Sequence, residues 1–168
     1  MAIELAKVHN CELRLPDACG KCRSCTKFSS LQHPNLHLVY PLPVGKSEKH
    51  GDDPLAKLSD DDIALIQDEL RQKGANPYHR IAIPKANNIK INSVREIRKE
   101  SSLSMFDKGK RLFVILEAEQ MTDEAANALL KTLEEPHENT MLILTTSKPT
   151  ALLPTIVSSS IQYKVRSS

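Results

Sequence analysis

Leu112-Phe113-Val114-Ile115-Leu116 is an unbroken apolar run, and it limits the fold more than any other feature of the chain. A strand with one wet face alternates apolar and polar residues. A run without alternation predicts a strand buried on both faces, as in a parallel sheet covered by helices. Met141-Leu142-Ile143-Leu144-Thr145-Thr146 reads as a second buried strand, Ile161-Gln162-Tyr163-Lys164-Val165 as a third, and Leu36–Tyr40 as an apolar strand entered through the turn dipeptide His33-Pro34. Thr122 is placed to cap a helix from Asp123 to Glu134, with Ala126, Leu129, Leu130 and Leu133 on its apolar side and Pro136 as its stop. Asn92-Ser93 predicts the cap of an amphipathic helix over Val94–Ser101. Strands alternating with helices across short loops give an α/β fold, a parallel sheet flanked by helices.

Composition agrees with a soluble globular domain. Of 168 residues, 40% are hydrophobic, 26% charged and only 4% aromatic, which suits helices packed on a sheet. A net charge of +2 is too small to argue for nucleic acid by itself. No apolar run approaches the roughly 18 residues of a membrane span, and Met1–Asn10 lacks the apolar centre of a signal peptide. A cytoplasmic protein that does not enter membranes is the expectation.

All four cysteines lie between Cys11 and Cys25, in the pattern C-x7-C-x2-C-x2-C formed by Cys11, Cys19, Cys22 and Cys25. A C-x2-C step aims two sulfurs at one point, Cys22 serves two such steps, and Cys11 returns as the fourth ligand. Four thiolates suit structural zinc and leave no open position for a catalytic water. Gly20 and Lys21 form the knuckle, and Lys21, Arg23 and Lys27 offset part of the thiolate charge. The alternatives are two disulfides, which need an oxidising compartment, or a redox pair, which needs no further cysteines. His33 and His37 read as loop and strand residues rather than ligands. Residues 1–30 are thus expected to form a zinc-binding module, with a core of its own, and residues 31–168 the main domain.

Residues 42–85 read as an insertion, broken by Pro43, Gly45, Gly51 and Pro54. Within it Ser59 is placed to cap a helix carrying Asp60, Asp61 and Asp62 in its first turn, with Ile63, Ile66 and Leu70 at helical spacing and Gly74 at its end. Gly45-Lys46-Ser47 invites a phosphate-loop reading. The motif requires a glycine where Tyr40 stands and a helix starting at the lysine, and neither is expected here.

Ala126-Asn127-Ala128-Leu129-Leu130-Lys131-Thr132-Leu133-Glu134-Glu135-Pro136 resembles the signature helix of bacterial clamp-loader AAA+ subunits. The cysteine module, His33-Pro34-Asn35-Leu36, Val94-Arg95-Glu96-Ile97 and Leu152-Leu153-Pro154-Thr155-Ile156 are similar to that family in the same order. The resemblance implies a partial AAA+ (P-loop NTPase-like) core with the zinc module inserted, strand order 5-1-4-3-2, and strands 2 to 5 at the four apolar segments above. It also implies a phosphate-binding loop upstream of the cysteines, which would lie before Met1, and a chain truncated at both ends.

Departures from the pattern point to the delta-prime type. ATP-hydrolysing members end the strand before the signature helix in Asp-Glu, and here the pair is Leu116-Glu117. Leucine offers no oxygen to a hard cation. The arginine-finger position holds Ser159, a departure even within the delta-prime group, and Thr145-Thr146 match the sensor strand.

The implied function is that of a non-catalytic subunit of the DNA polymerase III clamp loader, supporting the loading of the sliding clamp onto primed DNA. It would work with delta and gamma/tau partners, meet primer-template DNA only within the assembled loader, and bind no ATP in this fragment. An ATP-hydrolysing gamma/tau-type subunit is the alternative. A zinc nucleic-acid module is disfavoured by the lack of aromatic residues among the basic ones. The missing first strand leaves an open sheet edge, through which the fragment is expected either to take in Ile161–Val165 or to pair with a second copy.

Overall fold

The computed structural model describes residues 2–14, 16–104 and 108–165. Its centre is a parallel three-stranded sheet of β1 (Leu36–Val39), β2 (Arg111–Ile115) and β3 (Thr140–Leu144), in spatial order β1-β2-β3. Leu36 pairs with Leu112 and Leu112 with Met141, so one register runs straight across the sheet. The helices are α1 (Ala2–Asn10), α2 (Arg23–Ser29), α3 (Asp60–Ala75), α4 (Ile91–Ser102), α5 (Asp123–Glu134) and the short α6 (Pro154–Ser158). Ser59 caps α3 by accepting from Asp62 N–H, and Thr122 caps α5 by accepting from Ala125 N–H at 3.2 Å.

Every residue of β2 is buried. Phe113 and Ile115 face a core with Val39, Val94, Ile97, Ala125, Leu129 and Ile156, supplied largely by α4 and α5. Leu112 and Val114 face the other way, onto Ala6 of α1, Phe28 of α2 and Leu36. Each large side chain buried in this way contributes about 1.5–3 kcal/mol. The N-terminal module therefore has no separate core. Its two helices form the lid over one face of the sheet, because that face would otherwise present Leu112 and Val114 to water.

Asn10 locks the lid to the sheet. Its Nδ2 donates to Ala6 C=O at 3.0 Å, and its Oδ1 accepts from Lys110 N–H at 3.1 Å and Asn35 Nδ2 at 3.3 Å. Gly109 sits beneath it at φ +124°, where an added Cβ would lie 2.2 Å from Asn10 Oδ1. Arg111, though charged, is buried at the head of β2 because the carbonyls of Glu100, Leu103 and Ser104 accept its guanidinium protons.

Residues 42–85 pack on the sheet through a third core of Tyr40, Leu42, Ile66 and Ile83, which shares Leu38 and Leu116 with the lid core. Around Gly45-Lys46-Ser47 the backbone turns and no helix starts, and Gly45 N–H donates to Glu48 at 3.0 Å. The turn is pinned to α4. Lys90 Nζ meets Glu48 at 2.8 Å, Pro43 C=O at 3.0 Å and Pro54 C=O at 3.1 Å, with both charged side chains almost fully buried. Burial alone would raise the pKa of Glu48, but donation from Lys90, Gly45 N–H and Asn92 outweighs it and lowers the value.

Three sequence expectations are corrected. Ile161–Val165 forms no strand and does not pair with β3, and Ile161 and Tyr163 stand 83% and 77% exposed. Asn92-Ser93 do not cap α4, which begins at Ile91 with Lys90 at the cap position. The Asn92 amide instead holds the inserted turn, accepting from Gly51 N–H and donating to Glu48 and to Lys49 C=O. Gly74 lies inside the last turn of α3, against Ser30 C=O. β3 keeps one edge unpaired among the described residues. Replacing Gly109 by Ala forces both the positive φ and the Asn10 contact to yield, and should destabilise the fold by about 2 kcal/mol in urea unfolding.

Candidate metal centre and cationic cleft

Three local structures deliver the four cysteines. Cys11 follows the end of α1, Cys19 and Cys22 flank a turn at Gly20, and Cys25 lies in the first turn of α2. Gly20 has φ +69°, the left-handed conformation that glycine adopts without strain. That turn aims Lys21 N–H and Cys22 N–H at Cys19 Sγ, at 3.5 and 3.3 Å. Cys22 is the N-cap of α2, and its Sγ accepts from Cys25 N–H at 3.4 Å. Glu12 ties the loop down by accepting from Ser24 N–H at 3.1 Å.

The four ligand atoms lie within 4.8 Å of one another, and Cys19 Sγ is 3.9 Å from Cys25 Sγ. Sulfurs bound tetrahedrally to an ion at about 2.3 Å are about 3.8 Å apart, whereas disulfide sulfurs are about 2.05 Å apart. The cysteines are free thiols whose spacing could hold a metal ion.

The two nearby histidines are engaged elsewhere. His33 Nδ1 accepts from Asn35 N–H at 3.0 Å, so Nε2 carries the proton toward Ser24 Oγ at 3.1 Å, and the ring stacks on Phe28 at 4.0 Å. His37 stacks on Phe113 at 4.8 Å, and burial lowers its pKa.

Leu116 is half-buried between two apolar cores. Glu117 turns at φ 53° and its carboxylate takes a two-point ion pair from Arg80, at 2.5 and 3.2 Å. Thr145 extends the sheet, its N–H donating to Ile115 C=O at 2.8 Å. Ser159 is exposed at the C-cap of α6, its N–H donating to Thr155 C=O.

A second feature escaped the sequence reading. Arg95, Arg98, Lys99 and Ser102 of α4, with Lys131, Thr132, Glu135 and His137 at the end of α5, line a cleft of about 720 Å³. The three- and four-residue steps of the α4 residues put them on one face, a signal present in the sequence.

A family model described as DNA polymerase III, delta subunit matches residues 1–168. The chain belongs to that family. Bacillus subtilis DNA polymerase III subunit delta' is 32% identical over 159 residues, covering 94% of this chain and 35% of its own length. The Escherichia coli subunit of the same name is 38% identical over 90 residues, 52% of this chain and 27% of its own. Mycobacterium bovis subunit gamma/tau is 36% identical over 76 residues, 45% of this chain and 13% of its own. A gamma subunit-related protein from Thermotoga maritima aligns over 80% of this chain and 42% of its own, at TM-score 0.47 and 23% identity. The chain spans about a third of the length of the Bacillus subtilis relative. Among the described residues, no helix is long and apolar enough to cross a membrane.

A metal binds thiolates, so it must displace any thiol proton still present. Donation from Cys19 N–H holds the Cys11 thiol down at about 6, while burial pushes Cys25 up to about 12. Near neutral pH, Cys25 must lose a proton to bind and Cys11 is already ionised. Below pH 6 a proton competes at Cys11 as well. Cobalt(II) affinity, read from thiolate charge-transfer absorption, should fall as the pH is lowered and fall more steeply below about 6, where Cys11 also takes up a proton. A pH-independent affinity would mean that the thiols are not the ligands.

Proposed function

We propose that this chain is part of a non-catalytic, delta-prime-type subunit of a bacterial DNA polymerase III clamp loader, a cytoplasmic protein supporting the loading of the sliding clamp onto primed DNA. Its partners are the delta and gamma/tau-type subunits, and primer-template DNA is met within the assembled loader. The three strands correspond to strands 2, 3 and 4 of an AAA+ sheet, with residues 1–30 as an inserted module and 42–85 as a further insertion. The family match carries the reading, and the end of β2 supports the absence of catalysis. Where a hydrolysing member needs a magnesium-binding carboxylate, Leu116 is packed between two cores. Glu117, which would orient water, is paired with Arg80. Similarity to gamma/tau subunits over 76 residues favours the hydrolysing alternative, but it does not supply the missing aspartate.

Two experiments test this. ATP and magnesium titrated into the 168-residue chain should give no heat up to millimolar concentration, a binding free energy no stronger than about −4 kcal/mol. In a loader reconstituted with the full-length subunit, Glu117→Gln should leave ATP turnover unchanged. Micromolar binding, or turnover lost with Glu117, returns the chain to the hydrolysing class.

The resident ion of the cysteine site is zinc, held by Cys11, Cys19, Cys22 and Cys25, with a structural role. Support comes from the four-sulfur donor set and from the burial of Cys11 and Cys25, which leave an ion little access to water. Elemental analysis should find one zinc per chain. Because Cys25 and Phe28 share α2, chelation should lower the urea midpoint of the whole fold. Melting of α1 and α2 alone, with an unchanged sheet, would break the link.

The isolated chain is further proposed to self-associate through the free edge of β3. Light scattering should show a mass rising with concentration, and a strict monomer rules this out.

A further inference from the structure

The inserted turn ends against the cationic cleft. Asn92 of α4 holds Lys49 C=O and Gly51 N–H, which fixes residues 49–51 beside the first turn of the helix. Three residues further along α4, Arg95 Nη1 donates to His50 Nδ1. An arginine is always the donor, so His50 carries its proton on Nε2 and keeps that N–H for a further acceptor. Lys49, His50, Arg95, Arg98 and Lys131 are exposed, and none of their side chains forms an ion pair with an acid among the described residues. Among the described residues that line the cleft, Glu135 is the one carboxylate.

The surroundings keep this surface positive. The C-terminal carbonyls of α4 would present partial negative charge, but Arg111 fills them from inside the fold, bonding those of Glu100 and Leu103. The acids of the turn are engaged within it: Glu48 pairs with Lys90 in a buried pair, Asp52 accepts from Lys49 N–H at 2.8 Å and Asp53 accepts from Leu55 N–H at 2.8 Å. From Arg95 to Ser102 the helix rises about 10 Å, and His50 prolongs that row beyond Arg95. A row of unpaired cations on a rigid helix matches successive phosphates of a polymer better than one small anion.

We propose that Lys49 and His50 contact a nucleic-acid phosphate, so that the inserted turn lengthens the cleft between α4 and α5 into a track for the backbone of primer-template DNA. This rests on the clamp-loader reading. The contact is charge-assisted for Lys49 and a neutral N–H donor for His50, and it carries no base specificity.

The experiment uses the full-length subunit in a loader with its partner subunits and fluorescent primer-template DNA, titrated against salt. Lys49→Ala with His50→Ala should weaken binding roughly tenfold near 100 mM salt. It should also reduce the slope of log affinity against log salt by about 1, the value for one phosphate neutralised. Lys49→Arg should restore the slope. Helical circular dichroism of the double variant should match the parent, since both side chains are exposed. An unchanged slope in a loader that assembles and loads clamps overturns this inference alone. A parent subunit that fails to enter the loader overturns the clamp-loader reading instead. Displacement of the DNA by micromolar inorganic triphosphate, dependent on Lys49, would identify a small-polyphosphate site and overturn the DNA assignment.

Discussion

Burying β2 on every side is the constraint from which the rest of the structure follows. Both its edges are paired and all five of its residues are shielded. A strand of this kind cannot be stable until two opposite faces are covered, since its side chains alternate between them. α4 and α5 cover Phe113 and Ile115. On the other face Leu112 and Val114 are covered by the short α1 and α2, with the inserted α3 packed beside them through Leu38 and Leu116. The cysteine module is therefore part of the domain's core, although its sequence reads as an appendage.

A metal ion held by the four cysteines would meet a physical need. α2 has seven residues, well below the length at which a helix holds by itself, and a unit of about thirty residues needs a cross-link to stay folded. Four thiolates on one ion would fix the start of α2 through Cys22 and Cys25, and one turn later the same helix inserts Phe28 against Leu112 and Val114. His33 and Asn10 complete the junction, one stacking on Phe28 and the other bonding across to Lys110 N–H.

What the sequence made legible was local. The apolar run of β2, the capped helices α3 and α5, and the cysteine spacing each depend on neighbours a few residues away, and each appears at nearly the expected bounds. Ile161–Val165 misled because alternation states only that a segment suits a sheet; a strand also needs a neighbour to bond with, and among the described residues none pairs with this segment. Asn92 misled because an asparagine amide serves a cap or a tether equally well, and the choice was made by residues 48–51, more than forty positions away. The shared core of module and sheet was hidden for the same reason: nothing near Phe28 reveals that it meets Leu112. The cleft was readable in principle, from cations at three- and four-residue steps on α4, but its other wall comes from the far end of α5.

The inserted segment is held in different ways at its two ends. Near α4 it is tied down by a buried lysine–glutamate pair, whose loss of either partner would strand a charge at a cost of about 3–5 kcal/mol. At the far end its contact just past β2 is Arg80 on Glu117, a pair with an exposed guanidinium and thus a weak, solvent-screened tie. The firm end is the one beside the cationic cleft, and the weak end is the one over Leu116 and Glu117. A segment whose task was to block a catalytic edge would need the opposite distribution. The asymmetry instead fits a segment whose fixed surface is the one next to α4, with Arg80 doing no more than neutralising Glu117.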